Sequence, residues 1–267
     1  MNIREKFDTR APATHHIESL EGKVSDEEWN LRVDLAATYR LVAHYGWDDM
    51  IFTHISARIP GPEHHFLINP YGLMFDEITA SSLVKINIDG NKVQESPYPV
   101  NPAGFTIHSA LHMNRDDAHC IIHLHTTDGV AVSVQADGLL PLDQHAMLVA
   151  DDIAYHDYEG VALDLDERER LVKDIGTDKH LMILRNHGTL AIGRTCADAF
   201  LRMYYLERAC SMQVRALSGG AKPNWPNQGV PEKTRGQGAM AFEGLMAQLA
   251  WPALLRKMDR VDSSYRH

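Results

Sequence analysis

The chain has 267 residues, a formal net charge of -10 with His neutral, and 44% hydrophobic residues, enough apolar material for a sizeable core. No Lys/Arg cluster is dense enough to track a phosphate backbone, and no apolar run approaches a bilayer span, so neither nucleic acid nor membrane is an expected partner. The polar start Met1-Asn2-Ile3-Arg4-Glu5-Lys6 lacks a signal-peptide core, and the three cysteines, Cys120, Cys196 and Cys210, have no C-x-x-C spacing. Free thiols in a reducing, cytoplasmic compartment are expected.

Residues 1–24 are polar, contain Pro12 and show no period, so they read as an extended arm before a single domain over 25–267. Ser25 and Glu28 form a capping box that starts a helix ending near Gly46. Residues 51–59 are strand-like, with Ile51, Thr53 and Ile55 on one face, and Phe66-Leu67-Ile68 is the hairpin partner. Asn69-Pro70-Tyr71-Gly72 is a turn, since Pro presets φ and Gly supplies positive φ where needed. A strand over 83–88 ends at the Asp89-Gly90-Asn91 turn. After a loop punctuated by Pro97, Pro99 and Pro102, a helix is predicted over 106–113.

An apolar strand covers 119–125, and a short helix 127–135. Residues 141–147 read as a connection, 152–158 as a strand and 164–175 as a polar helix followed by Gly176. Strands over 181–184 and 189–192 bracket a loop that holds His187. A long amphipathic helix spans 195–217 and ends at Gly219-Gly220. A loop over 221–231 contains Pro223, Pro226 and Pro231, and a last helix runs from about 232 past Trp251, where Pro252 kinks or interrupts it. Several strand pairs read as hairpins and the β-helix-β beat is irregular. The expected class is therefore α/β, with a mixed, mainly antiparallel sheet covered by helices on both faces.

Histidine is abundant, at 16 residues, and the search for chemistry starts there. Strand side chains alternate with period 2, so His123 and His125 point the same way. His187 follows another apolar run. Three neutral imidazoles with an open further position are a common catalytic-metal arrangement, and His123, His125 and His187 are expected to bind one divalent metal per subunit. The competing reading is of satisfied core or surface histidines. Zinc suits three imidazoles; Mn, Fe, Co or Ni also accept them.

Asn101-Pro102-Ala103-Gly104-Phe105-Thr106-Ile107-His108-Ser109-Ala110, His123-Leu124-His125-Thr126 and Arg185-Asn186-His187-Gly188 together resemble the class II aldolase/adducin family. Leu67-Ile68-Asn69-Pro70-Tyr71-Gly72 and Tyr155-His156-Asp157-Tyr158-Glu159-Gly160 strengthen the likeness, which runs from roughly Leu31 to Gly219 and is nearest the adducin head and its bacterial relatives. The resemblance implies a three-layer α/β/α sandwich and a homotetramer with sites near subunit interfaces. It also implies zinc held by His123, His125 and His187, polarising a ketone oxygen as a C–C bond breaks.

The departures narrow the expectation. The catalytic Glu of the family's aldolases falls on Gly104, after Ala103; the family's Gly-Asn phosphate pair falls on Thr53 and His54; its hydroxyl-Gly pair falls on Tyr71 and Gly72. No counterpart of the neighbouring subunit's catalytic Tyr is seen near Leu142-Asp143-Gln144-His145. A metal-dependent lyase acting on a small, non-phosphorylated, oxygenated substrate fits better than a phosphosugar aldolase. Thr53, His54, Gly72, Ala103 and Gly104 are candidate substrate contacts. Tyr71 and His108 are candidate catalytic groups, since a His has a pKa suited to proton transfer near neutrality. His112, four residues after His108, shares its helix face, and the bland alternative is a half-exposed face.

Other constellations carry less. No G-x-S-x-G elbow supports Ser-His-Asp chemistry. Asp151-Asp152 and the acids at 164, 166 and 167 fit a turn and a solvated helix start. His64 and His65 read as surface, Cys120 as packing, and Trp251-Pro252-Ala253-Leu254-Leu255 as a segment packed on the body. The alternative to a lyase is a non-catalytic binding or assembly module like the adducin head, with a retained metal site. The absence of a Lys-rich extension after His267 leans the expectation toward a stand-alone soluble protein, and the lyase is the preferred of the two readings.

Overall fold

The computed structural model describes residues 16–160, 166–220, 222–242 and 245–267, without the side chains of 102–106, 239–242 and 245–246. In chain order the elements are α1 (Asp26–His44), β1 (His54–Arg58), β2 (Phe66–Ile68), β3 (Val84–Ile86), α2 (Pro102–Asn114), β4 (Cys120–Leu124) and α3 (Thr127–Ser133). These are followed by α4 (Gln144–Val149), β5 (Ile153–His156), α5 (Glu167–Ile175), β6 (Leu181–Leu184), β7 (Gly188–Gly193), α6 (Cys196–Ser218), α7 (Val230–Phe242) and α8 (Leu245–Val261).

The sheet has seven strands in the order β3-β2-β1-β4-β7-β6-β5. Every pairing is antiparallel except β5 with β6. Alternation along the strands builds two cores. Ile55, Ile122, Leu181, Ile183 and Ala191 face a layer made by α1, α6 and α8, where Leu35, Phe200 and Trp251 are buried. Ile121, Met182, Leu190 and Ile192 face the opposite layer, with Ile107 and Leu111 of α2 and Leu171 and Ile175 of α5. The result is an α/β/α sandwich on a mixed, mainly antiparallel sheet. β4 lies at its centre, hydrogen-bonded on both edges and buried along its whole length, which makes it the stiffest place to hang a side chain.

Local chemistry explains most of the boundaries. Ser25 caps α1, its side chain accepting from Glu28 N. Gly90 sits at φ 80 in the turn after β3, and Gly176 at φ 63 ends α5. Thr195 caps α6 by accepting from Asp198 N. Residues 1–15 of the expected arm lie outside the described residues. The part that follows is tied to the body, with Leu20 N donating to Ser81 Oγ and His267 Nε2 donating to Ile17 O.

Several expectations are corrected. The strand expected over 51–59 shortens to β1, because Met50 and Thr53 take positive φ values of 52 and 63 and bend the backbone. The connection expected over 141–147 instead runs into α4 from Gln144 onward, started by Asp143, whose side chain accepts from His145 N. Glu28 does not complete a capping box: its carboxylate accepts from Arg32 Nε at 2.9 Å and Lys85 Nζ at 2.8 Å. Asp164 lies outside the described residues, and Glu167 is buried beside His156 Nε2, at 3.5 Å, not solvated. Pro252 does not interrupt its helix, which runs on to Val261.

Candidate metal centre

His123 sits inside β4, paired across the sheet with His54 of β1 and Leu190 of β7. His125 lies one residue past the end of β4, before Thr126 caps α3 by accepting from Gly129 N. His187 closes the turn between β6 and β7, where Asn186 takes φ 59, a left-handed conformation that Asn tolerates. Gly188 makes the meeting of these segments physically feasible. A Cβ there would lie 2.3 Å from Leu124 O and 3.1 Å from His125 Cδ2, so only glycine lets β7 approach β4 this closely.

The ligand atoms of His123, His125 and His187 all lie within 4.8 Å of one another. His187's ring centroid is 4.8 Å from that of His123 and 4.8 Å from that of His125. His123 Nδ1 donates to Thr189 O at 3.0 Å, and His125 Nδ1 donates to Asp49 Oδ2 at 3.2 Å. A carbonyl or carboxylate oxygen can only accept, so each Nδ1 carries the hydrogen. Each Nε2 of a neutral ring is then bare, and the two Nε2 atoms face each other at 3.0 Å. Facing lone pairs repel unless a cation lies between them. Two nitrogens bound at about 2.0–2.1 Å on a tetrahedral ion stand roughly 3.3 Å apart, so the spacing fits one shared metal. Asp49 and the Thr189 carbonyl are the outer partners that fix ring orientation in metal sites.

Burial and the neighbouring imidazoles hold His123 well below its ordinary range and bring His187 down to about 4. Both rings are therefore neutral and ready to ligate near pH 7. Behind them, Glu207 of α6 accepts from the hydroxyls of Thr126 and Thr189, and its burial pushes the carboxyl up to about 7. Glu207 thereby joins the residue after His125 to the residue whose carbonyl orients His123.

A second group of polar atoms adjoins the first. His54 is fully buried, its ring 5.3 Å from that of His123 and 4.2 Å from that of His108. Burial brings His54 down to about 3 and holds His108 well below its ordinary value. Thr53 Oγ1, both ring nitrogens of His54 and His108 Nε2 are buried with no hydrogen-bond partner among the described residues. Leaving a buried polar group unpaired costs about 1–3 kcal/mol, so such a cluster calls for an explanation in function. Thr53 is also β-branched at φ 63, a strained conformation typical of functional sites.

A profile of the Class II Aldolase and Adducin N-terminal domain matches residues 33–214. The chain belongs to this family. A Caulobacter vibrioides protein provisionally named a class 2 aldolase is 59% identical over 248 residues, covering 92% of this chain and 96% of that one. Mouse alpha-adducin is 40% identical over 245 residues; the match covers 86% of this chain and 33% of adducin. Among solved structures, an aldolase II superfamily protein from Pseudomonas syringae superposes with a TM-score of 0.88 at 49% identity, covering 94% of this chain and 100% of that one. An L-fuculose 1-phosphate aldolase from Glaciozyma antarctica gives a TM-score of 0.77 at 26% identity, covering 96% and 97%. Membership of the class II aldolase superfamily is compatible with a metal-dependent lyase, and the family also contains the adducins.

The structure brings His54 beside both His123 and His108, with Thr53 immediately before His54. Tyr71 and Gly72 lie in the turn after β2, where Tyr71 N donates to Pro99 O. Among the described residues, no hydrogen bond or ring contact joins Tyr71 to the imidazoles. Ala103 and Gly104 fall in the first turn of α2, outside the described side chains. Sequence reasoning missed Asp49, Ser56, Tyr158, Thr189 and Glu207. Tyr158 is exposed, with its ring 5.9 Å from that of His187. Ser56 had a usable signal: it follows His54 by two on a strand and must share its face. Asp49 and Glu207 had none, because loop shape and helix packing bring them to the site.

Proposed function

We propose that this chain is a divalent-metal-dependent lyase that cleaves a C–C bond, by aldol-type or decarboxylating chemistry, in a small, oxygenated, non-phosphorylated metabolite. The observation that carries this reading is the pair of bare Nε2 atoms of His123 and His125, 3.0 Å apart with His187 beside them. His123, His125 and His187 would hold the cation, with zinc first among the metals that accept imidazole. When bound, the cation supplies Lewis acidity that polarises a carbonyl oxygen as negative charge develops.

The rest is done by the chain's own groups. Thr53 and His54 direct unpaired polar atoms toward substrate oxygens. His108 Nε2 receives the proton that leaves a substrate hydroxyl as the bond opens. Tyr71 and the backbone at Gly72, Ala103 and Gly104 complete the surroundings. A phosphate ester is disfavoured because the family's Gly-Asn phosphate pair falls here on Thr53 and His54. In this reading the protein works in the cytoplasm as a homotetramer, the assembly its family resemblance implies.

Elemental analysis and a screen against small hydroxy- and keto-acids, with and without a chelator, test the reading. One cation per chain and chelator-sensitive turnover are expected. Protein without any bound cation would sink it. Tight metal with no turnover on any carbonyl compound favours the second reading, a binding or assembly module, which the likeness to alpha-adducin supports.

A further inference from the structure

We propose that Ser56 and His112 are positioning residues that lock His108 in one tautomer, so that its Nε2 stays bare on the side away from Ser56. The lock is a chain of hydrogen bonds in which each link can point only one way. It begins at Ala118 O, which can only accept. His112 Nδ1 lies 2.6 Å from it and must carry the hydrogen. His112 is fully buried and neutral, so its Nε2 is bare. Ser56 Oγ, 2.7 Å away, is the atom that donates to that Nε2. With its hydrogen used there, Ser56 Oγ can only accept from His108 Nδ1, at 2.6 Å. His108 therefore carries its hydrogen on Nδ1, and His108 Nε2, which has no partner among the described residues, keeps a lone pair.

The opposite tautomer breaks a link wherever the reversal starts. If Ser56 donates to His108 Nδ1, two lone pairs meet between Ser56 Oγ and His112 Nε2. If His112 flips its hydrogen to Nε2, a bare Nδ1 faces the Ala118 carbonyl. Either arrangement strands a buried polar group at full desolvation cost. The lock is held mechanically as well. His108 and His112 are four apart on α2, Ser56 is on β1, and the His112 ring stacks on Phe66 at 4.8 Å and 22°.

The use of the lock rests on the lyase reading above. A base accepts a proton only at a bare nitrogen, and the ring that carries it lies 4.2 Å from that of His54, which is itself 5.3 Å from that of His123. On taking the substrate's proton, His108 becomes an imidazolium that still donates from Nδ1 to Ser56. The relay thus sets direction without touching substrate.

Nitrogen NMR of the full-length, histidine-15N-labelled protein tests this directly. His108 and His112 are each expected to give the Nδ1–H tautomer, with His108 Nε2 unprotonated. Ser56→Ala should scramble the His108 signals toward a mixture while metal content stays at the wild-type value, and Ser56→Thr should restore the single tautomer. An Nε2–H signal for His108, or a His108 tautomer unmoved in Ser56→Ala, overturns the proposal. Should Ser56→Ala not fold, the wild-type spectrum decides by itself. Cleavage of 4-hydroxy-2-oxobutanoate, a small non-phosphorylated aldol, followed by proton NMR, reports the lyase chemistry separately. It should slow about tenfold or more in Ser56→Ala with KM unchanged. A wild-type protein with the locked tautomer but no cleavage of any aldol or keto-acid upholds the lock and overturns the reading of His108 as a base.

Discussion

Two trios of histidine sit side by side on one face of the sheet and are wired in opposite ways. His123, His125 and His187 tie the Nδ1 hydrogens of two rings outward, to a backbone carbonyl and to Asp49, so the remaining nitrogens turn toward one another. His112 and His108 are instead joined in series through Ser56, with His54 packed between them and the first trio. Burial keeps His123 and His187 of the first trio, and all three rings of the second, neutral near pH 7. What separates the proposed ligand set from the proposed proton-handling set is where the acceptors for the Nδ1 hydrogens lie.

Breaking each trio separately is the sharpest way to probe this contrast. His123→Ala should lower metal affinity by more than the about 100-fold that loss of an outer partner can cost, and abolish turnover with it; elemental analysis checks the first part. His108→Ala should leave metal content at the wild-type value and lower turnover by about 10²–10⁴-fold. If His108→Ala changes neither metal content nor turnover, the division of labour is wrong.

The backing of the first trio can be tested through pH. Glu207 rises from an ordinary 4.5 to about 7 on folding, so the folded chain holds a proton that the unfolded chain has released. Its stabilising contribution is complete below about pH 4.5, falls as pH rises to about 7 and is flat above that. At about 1.4 kcal/mol per pH unit the loss is up to about 3 kcal/mol. Glu207→Gln, which stays neutral, should gain on the wild type by up to that amount between pH 4.5 and 8 in urea unfolding. Histidine titration is common to both proteins and cancels in the difference. A gap that does not change with pH would show that Glu207 is ionised throughout. The smallest effect is expected from Asp49→Asn, which keeps the volume but weakens the hold on the His125 Nδ1 hydrogen. Metal affinity should fall about 10–100-fold, measurable by competition with a chelator.

Much of the architecture was legible because its signals are local. Ser25 and Thr195 cap helices with their own side chains, and Gly90 and Gly176 take the positive φ their turns require. The apolar runs at 120–124 and 181–184 could hardly be anything but buried strands. Elements whose signal depended on distant packing were misread. Glu28 has a capping-box position in sequence, yet a buried Arg32 draws its carboxylate away. The strand expected from Ile51 begins three residues later, because the Asp49 loop curls toward His125.

The sequence by itself determined which way neighbours on one strand point, since period 2 puts His123 with His125 and His54 with Ser56. The meeting of His187 with the other two was settled by tertiary structure, through the β4–β7 register and a glycine small enough to permit it. The tautomers were settled there too. They depend on the carbonyls of Thr189 and Ala118, and a backbone oxygen is the same atom in every residue, so no reading of side-chain identity could have found it.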